Sequence, residues 1–169
     1  CTMFTNINVQ EPPVLVLSIS TTNISCYGLC NGAIVATATG GNSDIGAFTY
    51  TWSTGATTSS LTSLCQNSYS VTVTDVKGCT ATGSGTISEP PALGASTTVV
   101  NVTCSGLCNG SATVVPTGGT LPYSYAWSVG GINSTRTNLC FGSYMVTVSD
   151  SKGCNATSAF NITQPDQLF

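Results

Sequence analysis

The nine cysteines are the residues of this 169-residue chain with the most chemistry to offer. A thiol can ligate a metal, act as a nucleophile or close a disulfide, and its neighbours decide which. Here the cysteines are regularly spaced but lack the paired C-x-x-C knuckles of a zinc site, and the chain has no His. A nucleophile would need a positioned base, and the six carboxylates are spread along the chain without pairing. Asp75 and Asp150 each precede a Gly-containing turn, whose backbone an Asp side chain caps. One carboxylate per turn is too few for Ca²⁺. No catalytic residue, no metal, no cofactor and no enzyme activity are therefore expected. What remains is disulfide formation in an oxidising compartment, which implies a secreted, extracellular protein.

Composition narrows the elements that must hold these cysteines. Only 5% of residues are charged and the net charge is −3, with three Lys and Arg in all. That leaves nothing to neutralise a phosphate backbone, so nucleic acid is excluded. No run approaches the ~20 apolar residues that cross a bilayer. Hydrophobic residues make up 41%, and abundant Thr, Val and Ile suit a pleated, half-buried surface. The composition reads as all-β.

The chain repeats itself. Cys26-Tyr-Gly-Leu-Cys30-Asn-Gly returns as Cys104-Ser-Gly-Leu-Cys108-Asn-Gly, and Gly40-Gly41 as Gly118-Gly119. Tyr50-Thr-Trp52-Ser returns as Tyr125-Ala-Trp127-Ser, and the run from Tyr69 to Cys79 as that from Tyr144 to Cys154. The interval from Gly41 to Trp52 is three residues longer than its counterpart, an insertion in one loop. Cys1 precedes Cys26 by 25 residues, as Cys79 precedes Cys104. The organisation expected is residues 1–12 as the last strand of a truncated preceding repeat, 13–90 and 91–165 as full repeats, and 166–169 as the start of another. Glu11-Pro-Pro13 and Glu89-Pro-Pro91 would be short, stiff joints.

Within a repeat the apolar period is two. Val71 and Val73 alternate with Thr72 and Thr74, as do Val146 and Val148 with Thr147 and Ser149. Strands are expected at Val14–Ser20 or on to Ser25, then at Ala33–Thr39, Phe48–Ser53, Thr57–Leu61, Tyr69–Asp75 and Cys79–Ile87. Short strands between frequent turns imply tandem immunoglobulin-like β-sandwiches in an elongated array. Trp52 and Trp127 are expected in the cores, and Tyr69 and Tyr144 resemble a tyrosine corner. A sugar-stacking surface would instead need exposed aromatics, for which Tyr50, Tyr123, Tyr125 and Phe141 are the candidates.

That layout sets the loops holding Cys30 and Cys65 at one end, so Cys30–Cys65 and Cys108–Cys140 are the preferred disulfides. Elimination then leaves Cys26–Cys79 and Cys104–Cys154, which the same layout puts at opposite ends; the conflict stands at this point. Cys1 would be unpaired or bonded to another chain.

The combined pattern resembles the SprB-type repeat of Bacteroidota cell-surface adhesins. It comprises a Cys-x-Gly turn (Cys26, Gly28), Gly40-Gly41, Tyr50-Thr-Trp52-Ser53 and Ser53-Thr-Gly55-Ala-Thr-Thr58, then Tyr69 to Cys79 and Glu89-Pro90. The second copy departs at Ser128-Val-Gly-Gly131 and ends in Gln164-Pro165. The resemblance implies secretion to the cell surface and service as an adhesin or filament, with no catalytic residues to transfer. It also implies a bond between cysteines matching Cys26 and Cys79, with Cys30 and Cys65 an added pair.

Asn23 and Asn101 stand at equivalent places in Asn-x-Ser/Thr sequons and are candidate glycosylation sites. The function expected is an extracellular structural or adhesive array forming a rod, tether or filament. Its partners would be neighbouring repeats or other copies of itself, with surface glycans as a further candidate. The alternative is a carbohydrate-binding or spacer module of a secreted surface enzyme.

Overall fold

The computed structural model describes residues 11–42 and 48–166. Cys1 and residues 2–10 of the strand expected at 1–12 lie outside them. Regular structure among the described residues is β-strand throughout, in two compact units. One comprises the described residues within Cys1–Asn23 and Cys30–Ser88, the other those within Ile24–Leu29 and Glu89–Phe169.

The first unit contains β1 (Val16–Thr22), β2 (Gly32–Thr39), β3 (Thr49–Trp52), β4 (Ser60–Leu64), β5 (Asn67–Thr74) and β6 (Thr80–Ile87). They form two antiparallel sheets, ordered β1-β2-β4 and β3-β5-β6. This is the immunoglobulin arrangement of strands A-B-E facing C-F-G, with no strand in the D position among the described residues. Alternation along β5 turns Tyr69, Val71 and Val73 inward, where they are buried together with Ile34, Ala36, Trp52, Leu64 and Ile87. Burying that stripe is what selects the strand register, since a one-residue slip would turn every one of these side chains to solvent.

The second unit repeats the plan with β7 (Gly94–Val100), β8 (Gly110–Thr117), β9 (Ser124–Trp127), β10 (Thr135–Leu139), β11 (Gly142–Ser149) and β12 (Asn155–Ile162). Its sheets are β7-β8-β10 and β9-β11-β12. Val102, Ala112, Val114, Trp127, Leu139, Val146, Val148 and Ile162 form its core.

The fourth strand departs most from its expected place, running Ser60–Leu64 rather than Thr57–Leu61. Two local causes are visible. The indole NH of Trp52 donates to the carbonyl of Thr58 at 2.7 Å, holding the approach to the strand around the ring. A bulge then separates the pairs Ile34↔Leu61 and Gly32↔Leu64, with Ser63 at φ 56°. The second unit repeats both features, through Trp127 and Asn133 at 2.8 Å and through Asn138 at φ 58°.

The two cores place their bulk differently. In the first unit β6 carries Gly83 and Gly85 where β12 carries Ser158 and Phe160. A Cβ on Gly85 would lie 2.5 Å from Ile34 Cδ1, and one on Gly83 2.7 Å from Ile19 Cδ1. In the second unit Ile34 and Ile19 are replaced by Ala112 and Thr97. Phe160 packs against that core, edge-on to Trp127 at 5.9 Å and stacked on Tyr144 at 5.7 Å. Bulk carried by the first sheet in one unit is carried by the other sheet in its counterpart, as close packing favours.

Candidate functional site

The features that set this sandwich apart are its covalent staples and the polar anchors beside them. Cys30 lies just before β2 and Cys65 just after β4, and a disulfide joins them with Cα atoms 4.0 Å apart. Cys108 and Cys140 are joined in the same way, Cα to Cα 3.8 Å. The bulge in β4, or in β10, precedes the second cysteine of each bond.

The pairing reached by elimination, and supported by the resemblance, is corrected by the structure. Cys26 is bonded to Cys154, Cα to Cα 5.7 Å, while Cys79 and Cys104 are exposed free thiols. The reason is distance. Cys26 follows Asn23, whose side-chain carbonyl accepts from the Ser88 amide at 3.1 Å and so lies at the far end of β6. Cys79 precedes the near end of that strand. Eight residues of strand span about 26 Å at ~3.3 Å each, several times what a disulfide reaches. In the second unit Asn101, accepting from Thr163 at 2.9 Å, separates Cys104 from Cys154 by the length of β12 in the same way. Cys26 belongs to Ile24–Leu29, which groups with the second unit, so its bond to Cys154 is internal to that unit.

Two carboxylates brace the turns that carry Cys79 and Cys154. Asp75 is 5% exposed. Its Oδ1 accepts from the amides of Lys77 and Cys79, each at 2.9 Å, closing the β5–β6 turn. Its Oδ2 accepts from the amide of Asn42 at 2.9 Å and from Asn42 Nδ2 at 3.2 Å, tying that turn to the loop after β2. Asp150 holds Lys152, Cys154 and Thr120 in the same pattern at 2.8, 2.9 and 2.8 Å. The Asn42 amide, with those of Cys79 and Lys77, holds the Asp75 carboxyl well below the usual carboxylate range. Burial alone would raise Asp150, but the amides of Thr120, Cys154, Lys152 and Gly153 outweigh it and lower its pKa. The turn-capping role was legible in the sequence. The bond to the loop after β2 was not, because nothing local marks it.

The Gly-Gly pair before that loop is required by geometry. Gly40 has φ 75° and Gly118 φ 65°, and a Cβ on either would sit 2.1 or 2.0 Å from a backbone carbonyl oxygen. Gly41 and Gly119 donate to the carbonyls of Pro13 and Pro91 at 2.8 and 2.9 Å, pinning the proline segments onto their sandwiches.

Trp52 and Trp127 are buried, 2% and 6% exposed. The hydroxyls of Tyr69 and Tyr144 donate to the carbonyls of Cys65 and Cys140, both at 3.0 Å. Each is a tyrosine corner that also anchors a disulfide cysteine. Asn23 and Asn101 are exposed, with their carbonyl oxygens engaged as described. Of the sugar-stacking candidates, Phe141 is exposed. Tyr50 is half-buried, and Tyr123 and Tyr125 pack against the second core, Tyr123 donating to the Gly118 carbonyl at 2.5 Å. These side chains do not form an exposed row. Among the described residues no group of three or more His, Cys, Asp and Glu is placed to hold a metal ion, and no helix is long and apolar enough to cross a membrane.

This arrangement defines a class: a disulfide-stapled, six-stranded immunoglobulin-like sandwich, present twice. The family model described as SprB repeat matches residues 18–57 and 96–131, one stretch in each unit's sequence copy, so the chain is similar to a SprB repeat twice over. Among solved structures it is similar to the three N-terminal domains of the highly immunogenic outer capsid protein (Hoc) of bacteriophage RB49, with TM-score 0.54 and 19% identity, over 89% of this chain and 59% of that one. At this identity the likeness concerns the fold alone. A fragment of intimin in complex with the intimin-binding domain of its translocated receptor aligns with TM-score 0.42 and 15% identity, over 92% of this chain and 64% of that one. A Dscam structure aligns with TM-score 0.42 and 12% identity, over 92% and 47%. The chain thus spans about half to two thirds of the length of these structures. No curated protein matches it in sequence.

Proposed function

We propose that the protein is an extracellular structural or adhesive module whose repeats form a rod, tether or filament on the cell surface. The observation that carries this reading is the duplication of one stapled sandwich within a chain that matches the SprB repeat model at two places. Disulfides at equivalent places in both units suit an oxidising exterior. Few charges and a Thr-rich surface make each unit resistant and inert rather than reactive. The free energy of folding goes into shape: buried tryptophans, tyrosine corners and braced turns. Work of this kind needs no active site. Its partners are other repeats and other copies of itself.

The test is an antibody raised against the chain, applied to intact and to permeabilised cells of the source, followed by electron microscopy of the labelled surface. Labelling of intact cells along continuous strands is the expected result. Labelling that requires permeabilisation would overturn the reading.

A further inference from the structure

The two free thiols among the described residues are not alike, and each has a bonded counterpart. Cys104 occupies the place of Cys26, in the turn after the first strand of a repeat. Cys79 occupies the place of Cys154, at the start of the last strand. Among the described residues one bond of this kind joins a turn cysteine to a strand cysteine, Cys26 to Cys154. Cys104 and Cys79 are therefore the two complementary halves of a second such bond.

Both halves are already built. In the bonded turn the Leu29 amide donates to the Cys26 carbonyl at 3.1 Å, and the Gly28 amide, at φ 77°, donates to Glu89 Oε2 at 2.9 Å. In the free turn Leu107 donates to Cys104 at 3.3 Å, and Gly106, at φ 80°, donates to Gln164 Oε1 at 3.3 Å. On the strand side, Cys154 and Cys79 each donate an amide hydrogen to the preceding aspartate at 2.9 Å. Their carbonyls accept from Asp150 and Asp75 at 3.0 and 2.9 Å. Little rearrangement is needed at either partner, so most of the cost of ordering the link is met in advance.

The surroundings match as well. The Cys26–Cys154 bond sits in a hollow with Tyr27, Leu29, Ala92 and Leu93. The counterparts of these residues are Ser105, Leu107, Val14 and Leu15. Val14 is 81% exposed and Leu107 46%. Leu29 beside the bonded pair is likewise 46% exposed, so the free turn has the apolar neighbour that the bonded turn has.

We infer that Cys104 of one copy forms a disulfide with Cys79 of a second copy, a turn-to-strand bond of the same kind as Cys26–Cys154. Cys154 is already bonded, which leaves Cys79 as the described cysteine of the right kind. The reaction is thiol–disulfide exchange. With a small-molecule disulfide such as oxidised glutathione, the two thiols give up two protons and two electrons. One S–S bond forms between the chains, the oxidant's S–S bond breaks, and two molecules of reduced glutathione are released. The inference deepens the filament reading by naming its covalent joint, and it can fail while surface labelling still succeeds.

The experiment mixes unlabelled and ¹⁵N-labelled protein, both carrying Cys1→Ser, in a glutathione redox buffer, followed by non-reducing gels and peptide mapping. The expected result is a ladder of multimers, lost on reduction, with a Cys79–Cys104 peptide pair that contains both isotopes in one species. Cys79→Ser alone and Cys104→Ser alone should each abolish the ladder. Mixed together, those two variants should yield a dimer and nothing larger. Both substitutions are at exposed positions, and retention of the Cys26–Cys154 peptide pair verifies the fold. The inference is overturned if both thiols remain alkylatable after oxidation or if the Cys79–Cys104 pair carries a single isotope. It is also overturned if like-with-like pairs dominate, or if Cys104 in native surface material is bonded to a cysteine outside this sequence.

Discussion

Introducing Phe at Gly85 gives the first unit the bulky residue that the second carries at Phe160, and the two cores then predict opposite responses. A Cβ at Gly85 already meets Ile34 Cδ1 at 2.5 Å, Thr21 Cγ2 at 2.8 Å and Ile19 Cγ2 at 3.0 Å. Gly85→Phe should therefore overpack the first core and cost about 1–3 kcal/mol. Ile34 is fully buried, so Ile34→Ala alone opens a cavity worth about 2–5 kcal/mol. Together the two substitutions reproduce the Phe–Ala combination of the second unit, where Phe160 packs against a core containing Ala112. The double variant should then be more stable than the sum of the single costs by about 1–3 kcal/mol, the range found for residues that share one cavity. The assay is urea denaturation of all four proteins, with hydrogen exchange read by mass spectrometry to assign the change to residues of the first unit. Additive costs, with coupling within a few tenths of a kcal/mol, would refute the claim that the two cores exchange volume between sheets.

Other consequences are more local. Cys30→Ala with Cys65→Ala releases a loop closed over a separation of 35 residues. On the chain-entropy model this costs up to about 3.8 kcal/mol, and hydrogen exchange should place the loss in the first unit. Tyr144→Phe removes the bond to the Cys140 carbonyl and should cost about 0.5–1.5 kcal/mol in denaturant unfolding. Asp75 and Asp150 have lowered pKa values in the fold. Their contribution is thus complete above the ordinary Asp value of 3.8 and is lost as pH falls from there through the folded-state values. Melting temperature should be flat near neutrality and drop in acid. In Asp75→Asn with Asp150→Asn it should be lower at neutral pH and less steep below pH 4.

Much of this architecture was written in local pattern. The Val-Thr-Val alternation of β5 and β11 marks strands buried on one side, and one Trp and one Tyr per repeat mark the core and the corner. Cys30 and Cys65 flank β2 and β4, adjacent strands of one sheet, so their bond followed from the layout. Cys26–Cys154 did not, because its partner depends on where Ile24–Leu29 packs, a relation across a separation of 128 residues. Elimination failed there by treating each repeat as closed to its neighbours. The opposite-ends objection was the sounder argument, since strand length sets that distance. Asn23 and Asn101 drew attention as sequons, whereas their visible role is to pin the end of a last strand. Their contacts lie 65 and 62 residues away, beyond any local signal. The start of β4 was misplaced because a Trp side chain, not the backbone pattern, occupies the preceding carbonyl.

The central claim is an oxidised repeat framework built for the cell exterior. Disulfide mapping of unreduced protein taken directly from the source surface, alkylated at harvest, tests it most directly. The account predicts peptide pairs for Cys30–Cys65, Cys108–Cys140 and Cys26–Cys154. Recovery of these cysteines as alkylated thiols, or of Cys26–Cys79 and Cys104–Cys154 in place of Cys26–Cys154, would contradict it.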